Sequence, residues 1–323
     1  MITVLAGGVG AARFLAGLVR VVDPGLVTAV VNTGDDTELH GLSISPDIDT
    51  VTYTVSGSID PDRGWGLRDE TWRAMESLGR FEPVRPEGSN AAPRWFNLGD
   101  TDLATHFYRT ARLAEGATLA QVTDEIARAF GLGMRVLPMS NDPVRTMVHL
   151  DDGIVGFQEY FVKLRHSVPV RSIEFRGIDS ATFTDMSVIT GADSIVIAPS
   201  NPVVSIGPVR AMRGVDDALR ARREDVVAIS PIIAGAALKG PADRMLQELG
   251  HEPTVLGVAR MYAPVCATLV IDVQDAHLAD AVEAEGLRCV VTDTIMAHDG
   301  VPESLARATI GATPRKGGAA WRD

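Results

Sequence analysis

Cysteine is almost missing from this sequence: there are two, Cys266 and Cys289, with no CxxC spacing. That excludes a disulfide framework and a zinc ribbon and fits a reducing compartment. Aromatic residues make up only 5% of the chain. No apolar run approaches the ~20 residues that span a bilayer. The apolar start, MITVLAGG, is broken by glycines and lacks the basic segment of a secretory signal. The expectation is a cytoplasmic protein with no membrane partner. Positive charge is also scarce. With 30 Lys and Arg against 42 Asp and Glu, the formal net charge is −12. Duplex nucleic acid is bound largely through phosphate neutralisation by basic side chains, so no nucleic-acid partner is expected. Any bound phosphate must be held by backbone donors, a few arginines or a metal ion.

What is present is a large apolar complement. The 323 residues are 46% hydrophobic and 22% charged, enough to bury a sizeable core. Five runs rich in β-branched residues stand out: ITVLA (2–6), TAVVN (28–32), SIVIA (194–198), VVAIS (226–230) and TLVID (268–272). Runs apolar on both faces suit the middle of a parallel sheet covered by helices. Phe14, Leu15, Leu18, Val19 and Val22 share a helical face and predict the first crossover helix over about 11–22. Thr118 is an N-cap for TLAQVTDEIARAF, with Gly131 as its stop. The pattern predicts an α/β fold, a doubly wound, Rossmann-like and mostly parallel sheet. VHLDDGIVGFQEYFV (148–162) reads as two strands turning at Asp152-Gly153. Residues 145–180 are therefore expected as an antiparallel insertion in a single α/β domain spanning 1–312. PVRPEGSNAAP (83–93) is a loop by composition, and 313–323 is expected to be a frayed tail.

The first strand runs into Gly7-Gly8-Val9-Gly10 and then into the helical pattern. No Lys-Ser/Thr follows, so this is not a Walker A loop. Gly8 and Gly10 fit a GxGxxG fingerprint, but Arg13 stands in the third glycine position. Asn32 ends the second strand, where an NAD enzyme carries an acid for the ribose. The turn reads as a phosphate cradle of backbone N–H groups at a helix N-terminus. The plainer alternative is a tight turn requiring φ > 0 and nothing more.

The stretch NTGDDTELHGLSISPDIDT (32–50) gathers Asp35, Asp36, Asp47 and Asp49. Carboxylates beside a phosphate site suit a hard cation such as Mg2+. Turn and cap chemistry would also explain them. Asp47 and Asp49 flank Ile48 and would point the same way in an extended segment. WFNLGDTDLATHFYRT (95–110) reads as a loop leading into a helix at Asp100 or Thr101. Its Trp95 and Phe96 either belong to the core or stack on a flat ring, and His106 reads as a structural histidine. PSNPVVSIGP (199–208) and SPIIAGAALKGPADRM (230–245) follow buried strands and offer Ser, Asn and backbone donors for a nucleotide.

Together these stretches carry a resemblance. GGVGAARFLAGL, VVNTGDD, SPDIDTVTYT, GWGLRDETW, WFNLGDTDLATHFYRT, MSNDPVRT, FQEYFV, PSNPVVSIGP and SPIIAGAALKGPAD run in that order over residues 1–245. They resemble the 2-phospho-L-lactate transferase family of coenzyme F420 biosynthesis, whose actinobacterial members are phosphoenolpyruvate transferases. The resemblance implies a guanosine-diphosphate-linked donor carrying a phospholactyl or phosphoenolpyruvyl end. It implies the deazaflavin FO as acceptor, GMP as leaving group, Mg2+ as cofactor and a homodimer. Gly7, Gly8, Gly10 and Arg13 would serve the donor phosphates, and Asn32, Asn201 and Ser230 the nucleotide side. Asp49 and Asn97 match deazaflavin-contacting positions, with Trp95 beside them, although some relatives carry a basic residue where Asn97 stands. Asp47 and Asp49 are the expected Mg2+ ligands and catalytic carboxylates. Two rivals remain at this point: a non-catalytic nucleotide-sugar-binding regulator with a similar glycine opening, and a nicotinamide-dependent oxidoreductase.

Overall fold

A computed structural model of the chain describes residues 1–89, 91–237 and 242–313. Its centre is a seven-stranded sheet: β1 (Ile2–Ala6), β2 (Val27–Val31), β3 (Arg135–Pro138), β4 (Ser194–Ile197), β5 (Val226–Ile229), β6 (Thr268–Asp272) and β7 (Arg288–Thr292). The spatial order is β7-β6-β5-β4-β1-β2-β3, and every pairing is parallel. This is the doubly wound order, which reverses between β1 and β4. Alternate side chains feed two cores. Leu5 and Val30 pack on one face with Ile195 and Ile197. Val4, Ala6, Ala29 and Val31 pack on the other with Phe14, Leu15 and Leu18. Burial on both faces is why these strands read as unbroken apolar runs.

The predicted strands are all present. The two edge strands β3 and β7 were not among the predicted ones. They are short, each opens on an arginine, and β3 ends on Pro138, so neither reads as an interior run. Helix α1 covers Gly8–Val21, three residues earlier than predicted, because the glycine turn is itself the first helical turn. The extended reading of Asp47-Ile48-Asp49 is overturned: these residues open helix α2 (Pro46–Val55), with Pro46 in its first turn. Pro at that position and acids in a first turn are helix-start signals. Helix α3 covers Asp102–Ala114, close to the expected start, with Thr101 as its N-cap. Helix α4 (Leu119–Ala129) has the predicted Thr118 cap, closed reciprocally by Gln121.

The insertion is antiparallel, as expected, with strands Arg145–Leu150, Gly153–Gly156 and Ser172–Arg176. The turn residues are Asp151 and Asp152, and the second strand stops at Gly156. The following FQEYFV is helical rather than extended. Its Phe157 and Phe161 stack at 5.7 Å, and Tyr160 is buried against Val148, Val170 and Met245. Of the expected frayed tail, residues 314–323 lie outside the described residues, as do Asn90 of the 83–93 loop and residues 238–241 of the 230–245 stretch. Among the described residues no helix is long and apolar enough to cross a membrane.

Candidate active site

The reversal of strand order leaves a crevice beyond the carboxyl ends of β1 and β4, the place where open α/β sheets bind ligands. Here the glycine turn and the 199–205 loop meet closely. The Gly7 N–H reaches Ser200 Oγ at 3.3 Å. Gly8 has φ +71°, a conformation that side chains resist. A Cβ on Gly10 would lie 2.1 Å from the Pro199 carbonyl oxygen. The glycines therefore serve two purposes: they let the first βα turn touch its neighbour, and they start α1 at the crevice floor. The first N–H groups of a helix lack intrahelical partners and aim outward. Arg13, one turn further along α1, makes no ion pair among the described residues and lines the same cleft. The cleft encloses about 860 Å3.

A buried carboxylate cluster faces this turn. Asn32, fully buried at the end of β2, donates from Nδ2 to Asp35 Oδ1 at 2.9 Å and to Asp47 Oδ2 at 3.0 Å. Its Oδ1 accepts the Gly34 N–H at 2.8 Å, which fixes the amide orientation. Asp47 Oδ1 accepts the Gly8 N–H at 2.7 Å. Asp36 is held by Ser45 Oγ at 2.8 Å, while its Oδ1 is buried with no hydrogen-bond partner. Burial pushes Asp36 up to about 7 and Asp47 up to about 6. Asp35 is raised well above the usual carboxylate range by burial and then by Asp47 and Asp36. Such a set of hard oxygens, crowded and short of positive charge, fits a hard divalent cation. Among the described residues no three acidic, His or Cys side chains converge on one point.

The pair brought together by the fold is thus Asp35 with Asp47, not Asp47 with Asp49. Two positions along a helix rotate a side chain by ~200°. Asp47 turns to the glycine turn, and Asp49 turns to α3, where the fully buried Arg109 grips both of its oxygens through Nη1 (3.1 Å) and Nη2. Arg109 Nη1 also lies 3.2 Å from His106 Nδ1. Because a guanidinium only donates, that contact places the His106 proton on Nε2. His106 Nε2 faces Asp102 Oδ2 at 3.4 Å, and Tyr53 donates to Asp102 Oδ1 at 2.6 Å. The expected structural role of His106 is the one its partners give it, although its ring also reaches the cleft wall.

The motif stretches around α3 interlock. Glu70 accepts the N–H groups of Thr101 (2.9 Å) and Asp102 (2.8 Å), capping α3. Asp100 accepts those of Arg73 and Ala74, both at 3.0 Å, capping the helix Arg73–Leu78. Much of GWGLRDETW and WFNLGD is therefore mutual capping. Trp95 and Phe96 meet edge to face at 5.9 Å and pack on Leu39, Ile44, Met75 and Leu98, yet both also line the cleft. The core reading holds for both, and both are also placed at the cleft surface. Asn97 is exposed at the same wall.

Of the predicted residues, Gly7, Gly8, Gly10, Arg13, Asp47, Asp49, Trp95, Asn97, Asn201 and Ser230 line this cleft. Asn32 does not; it lies beneath, orienting Asp35 and Asp47. Asn201 turns its Oδ1 onto the N–H groups of Val203 and Val204, and the buried Ser230 Oγ bonds the Ile232 backbone. Three contributors were missed. Gln158 of the insertion donates to Asp35 Oδ2 at 3.1 Å. Phe157, Phe161, Arg165 and His166 form a further wall, and Thr294–Ala297 beyond β7 closes the far end. The signal in FQEYFV was helical spacing of its aromatics; the 294–297 turn, held by Asp272, carried none beyond following a strand.

Residues 2–308 match the family described as 2-phospho-L-lactate transferase CofD. Among curated relatives, a phosphoenolpyruvate transferase of Mycobacterium tuberculosis is 39% identical over 328 residues, covering 95% of this chain and 97% of that protein. One from Mycolicibacterium smegmatis is 40% identical over 324 residues, with coverage of 95% and 97%. A crystal structure of a Bacillus halodurans protein of the UPF0052 family shares the fold, with a TM-score of 0.58 at 15% identity over 96% of this chain and 98% of that one. The chain is a transferase that belongs to the 2-phospho-L-lactate transferase CofD family.

Proposed function

We propose that the protein moves a phosphoenolpyruvyl group, or its 2-phospho-L-lactyl counterpart, from a guanosine-diphosphate-linked donor to the terminal ribityl hydroxyl of FO. The products are dehydro-F420-0, or F420-0, and GMP. The observation that carries this reading is convergence: stretches far apart in sequence, chosen for phosphate, nucleotide and deazaflavin contacts, line one cleft at the switch point of the sheet.

Arg13 and the first-turn N–H groups of α1 that follow Gly8 hold the donor diphosphate, with the nucleotide toward the Asn201 and Ser230 loops. Asp35 and Asp47, held by the Asn32 amide, are the Mg2+ ligands of this reading. When bound, that cation neutralises charge on the diphosphate and on the departing GMP. Asp49, oriented by Arg109, accepts a hydrogen bond from the ribityl hydroxyl and aims its oxygen at the phosphorus bearing the three-carbon acid. The new P–O bond forms as the P–O bond to GMP breaks. The hydroxyl proton passes to the Asp49 carboxylate that holds it as the bond to phosphorus forms. Positioning and charge neutralisation do most of the catalysis, as expected for phosphoryl transfer.

FO fluoresces, so binding is readable optically. Titrating FO with protein should change its emission, and Trp95→Ala should weaken that change. A nucleotide-sugar-binding regulator of this fold predicts unaltered emission, and that outcome would overturn the transferase reading.

A further inference from the structure

The wall supplied by the insertion ends in an unusual turn. After the wide helical turn Glu159–Lys163, two consecutive residues that are not glycine adopt left-handed backbone, Arg165 at φ +50° and His166 at φ +42°. Such strain persists only where its surroundings fix it, and it concentrates at functional sites. The fixing contacts are present. The His166 N–H bonds Tyr160 O at 2.9 Å, and Arg244 Nη1 bonds His166 O at 2.7 Å. Arg244 is itself held by Glu248, which accepts the Val170 N–H at 2.8 Å. The His166 ring stacks on Phe161 at 5.4 Å. These contacts hold the turn so that Arg165 is among the residues lining the cleft. Arg165 is exposed and makes no hydrogen bond or ion pair among the described residues. Its neighbours Arg171 and Arg176 are paired with Asp151 and Glu174.

The same helical segment begins beside the carboxylate cluster, where Gln158 bonds Asp35. Arg165 lies seven residues further along the chain and lines the same cleft. On the transferase reading the diphosphate is served by Arg13, N–H groups of α1 and the Asp35–Asp47 pair. That assignment leaves the carboxylate at the other end of the donor without a cation, and Arg165 is the remaining arginine among the residues that line the cleft. We propose that Arg165 binds the carboxylate of the donor's three-carbon acid, with the strained 165–166 turn, pinned by Arg244, setting the angle of the guanidinium. A planar guanidinium matches a carboxylate with two parallel hydrogen bonds, which a lysine cannot reproduce. The inference rests on the transferase reading above.

The test compares donor KM with the inhibition constant of GDP, which shares the diphosphate but lacks the carboxylate. Arg165→Gln should raise donor KM by about 10- to 100-fold while leaving GDP inhibition unchanged. Arg165→Lys should recover only part of the loss. Arg244→Ala should raise donor KM in the same direction and add little to Arg165→Gln in the double variant. Equal weakening of donor and GDP would show that Arg165 serves phosphate and would overturn the assignment. So would unchanged values for both. Absence of transfer by the unaltered protein would overturn the reading beneath it, and this inference with it.

Discussion

At the scale of single residues, the crevice is built by what does not fit. A methyl group on Gly10 would meet the Pro199 carbonyl oxygen at 2.1 Å, so Gly10→Ala must push α1 away from the 199–205 loop. We expect it to cost about 1–3 kcal/mol, read as a lower urea midpoint with unchanged slope, together with weaker donor binding. Arg109 is the opposite case, a fully buried cation held by Asp49, the His106 ring and the Ser43 carbonyl. Removing one member of a buried pair leaves the other uncompensated. Arg109→Gln should therefore cost about 3–5 kcal/mol, and adding Asp49→Asn should return part of it. Equal stability of the single and double variants would contradict that pairing. Asp49 was singled out from SPDIDT, but its partner was not, because Arg109 lies sixty positions away and nothing local marks it. Asn32 was read as the absence of an NAD ribose ligand and as a nucleotide-side residue; its tie to Asp35 and Asp47 needed the fold.

At the scale of elements, the decisive local fact is that Pro46–Val55 is helical. The alternation of Asp47, Ile48 and Asp49 mimics a strand over three residues, too few to separate a period of two from one of 3.6. As a helix start, the same residues send one carboxylate to the glycine turn and the other to α3. The raised carboxyls of this cluster also make stability depend on pH. Their folded pKa values, about 7 for Asp36 and about 6 for Asp47, lie above the ordinary 3.8. The folded state thus holds protons that the unfolded chain releases. The associated stability is fully present below about pH 4, declines as pH rises, and is gone above about pH 7. Metal-free protein should lose thermal stability across that window. Added Mg2+ should raise Tm more at pH 8 than at pH 5.5, because protons compete for the same oxygens. An equal Mg2+ effect at both values, or none, would contradict the Asp35–Asp47 cation site.

At the scale of the whole molecule, the doubly wound sheet was legible because its central strands are buried on both faces. Its edges were not, since β3 and β7 are short and begin with arginines. The glycine turn and the 199–205 loop could be placed at one sheet edge from strand order alone. The walls added by the insertion and by Thr294–Ala297 could not, because their contribution depends on how separate elements pack. The assembled cleft is one surface lined by the start of α1, Asp35 and Asp47, Trp95 and Phe96, and Arg13 and Arg165.

The most direct test of that account is turnover followed by mass spectrometry, with FO, Mg2+ and either the enolpyruvyl or the lactyl guanosine-diphosphate donor. The account predicts the mass of dehydro-F420-0 or F420-0, one GMP released per product, and loss of both products when Mg2+ is chelated or Asp47 is replaced by Asn. FO left unchanged with both donors, under conditions where the protein is folded, would contradict it.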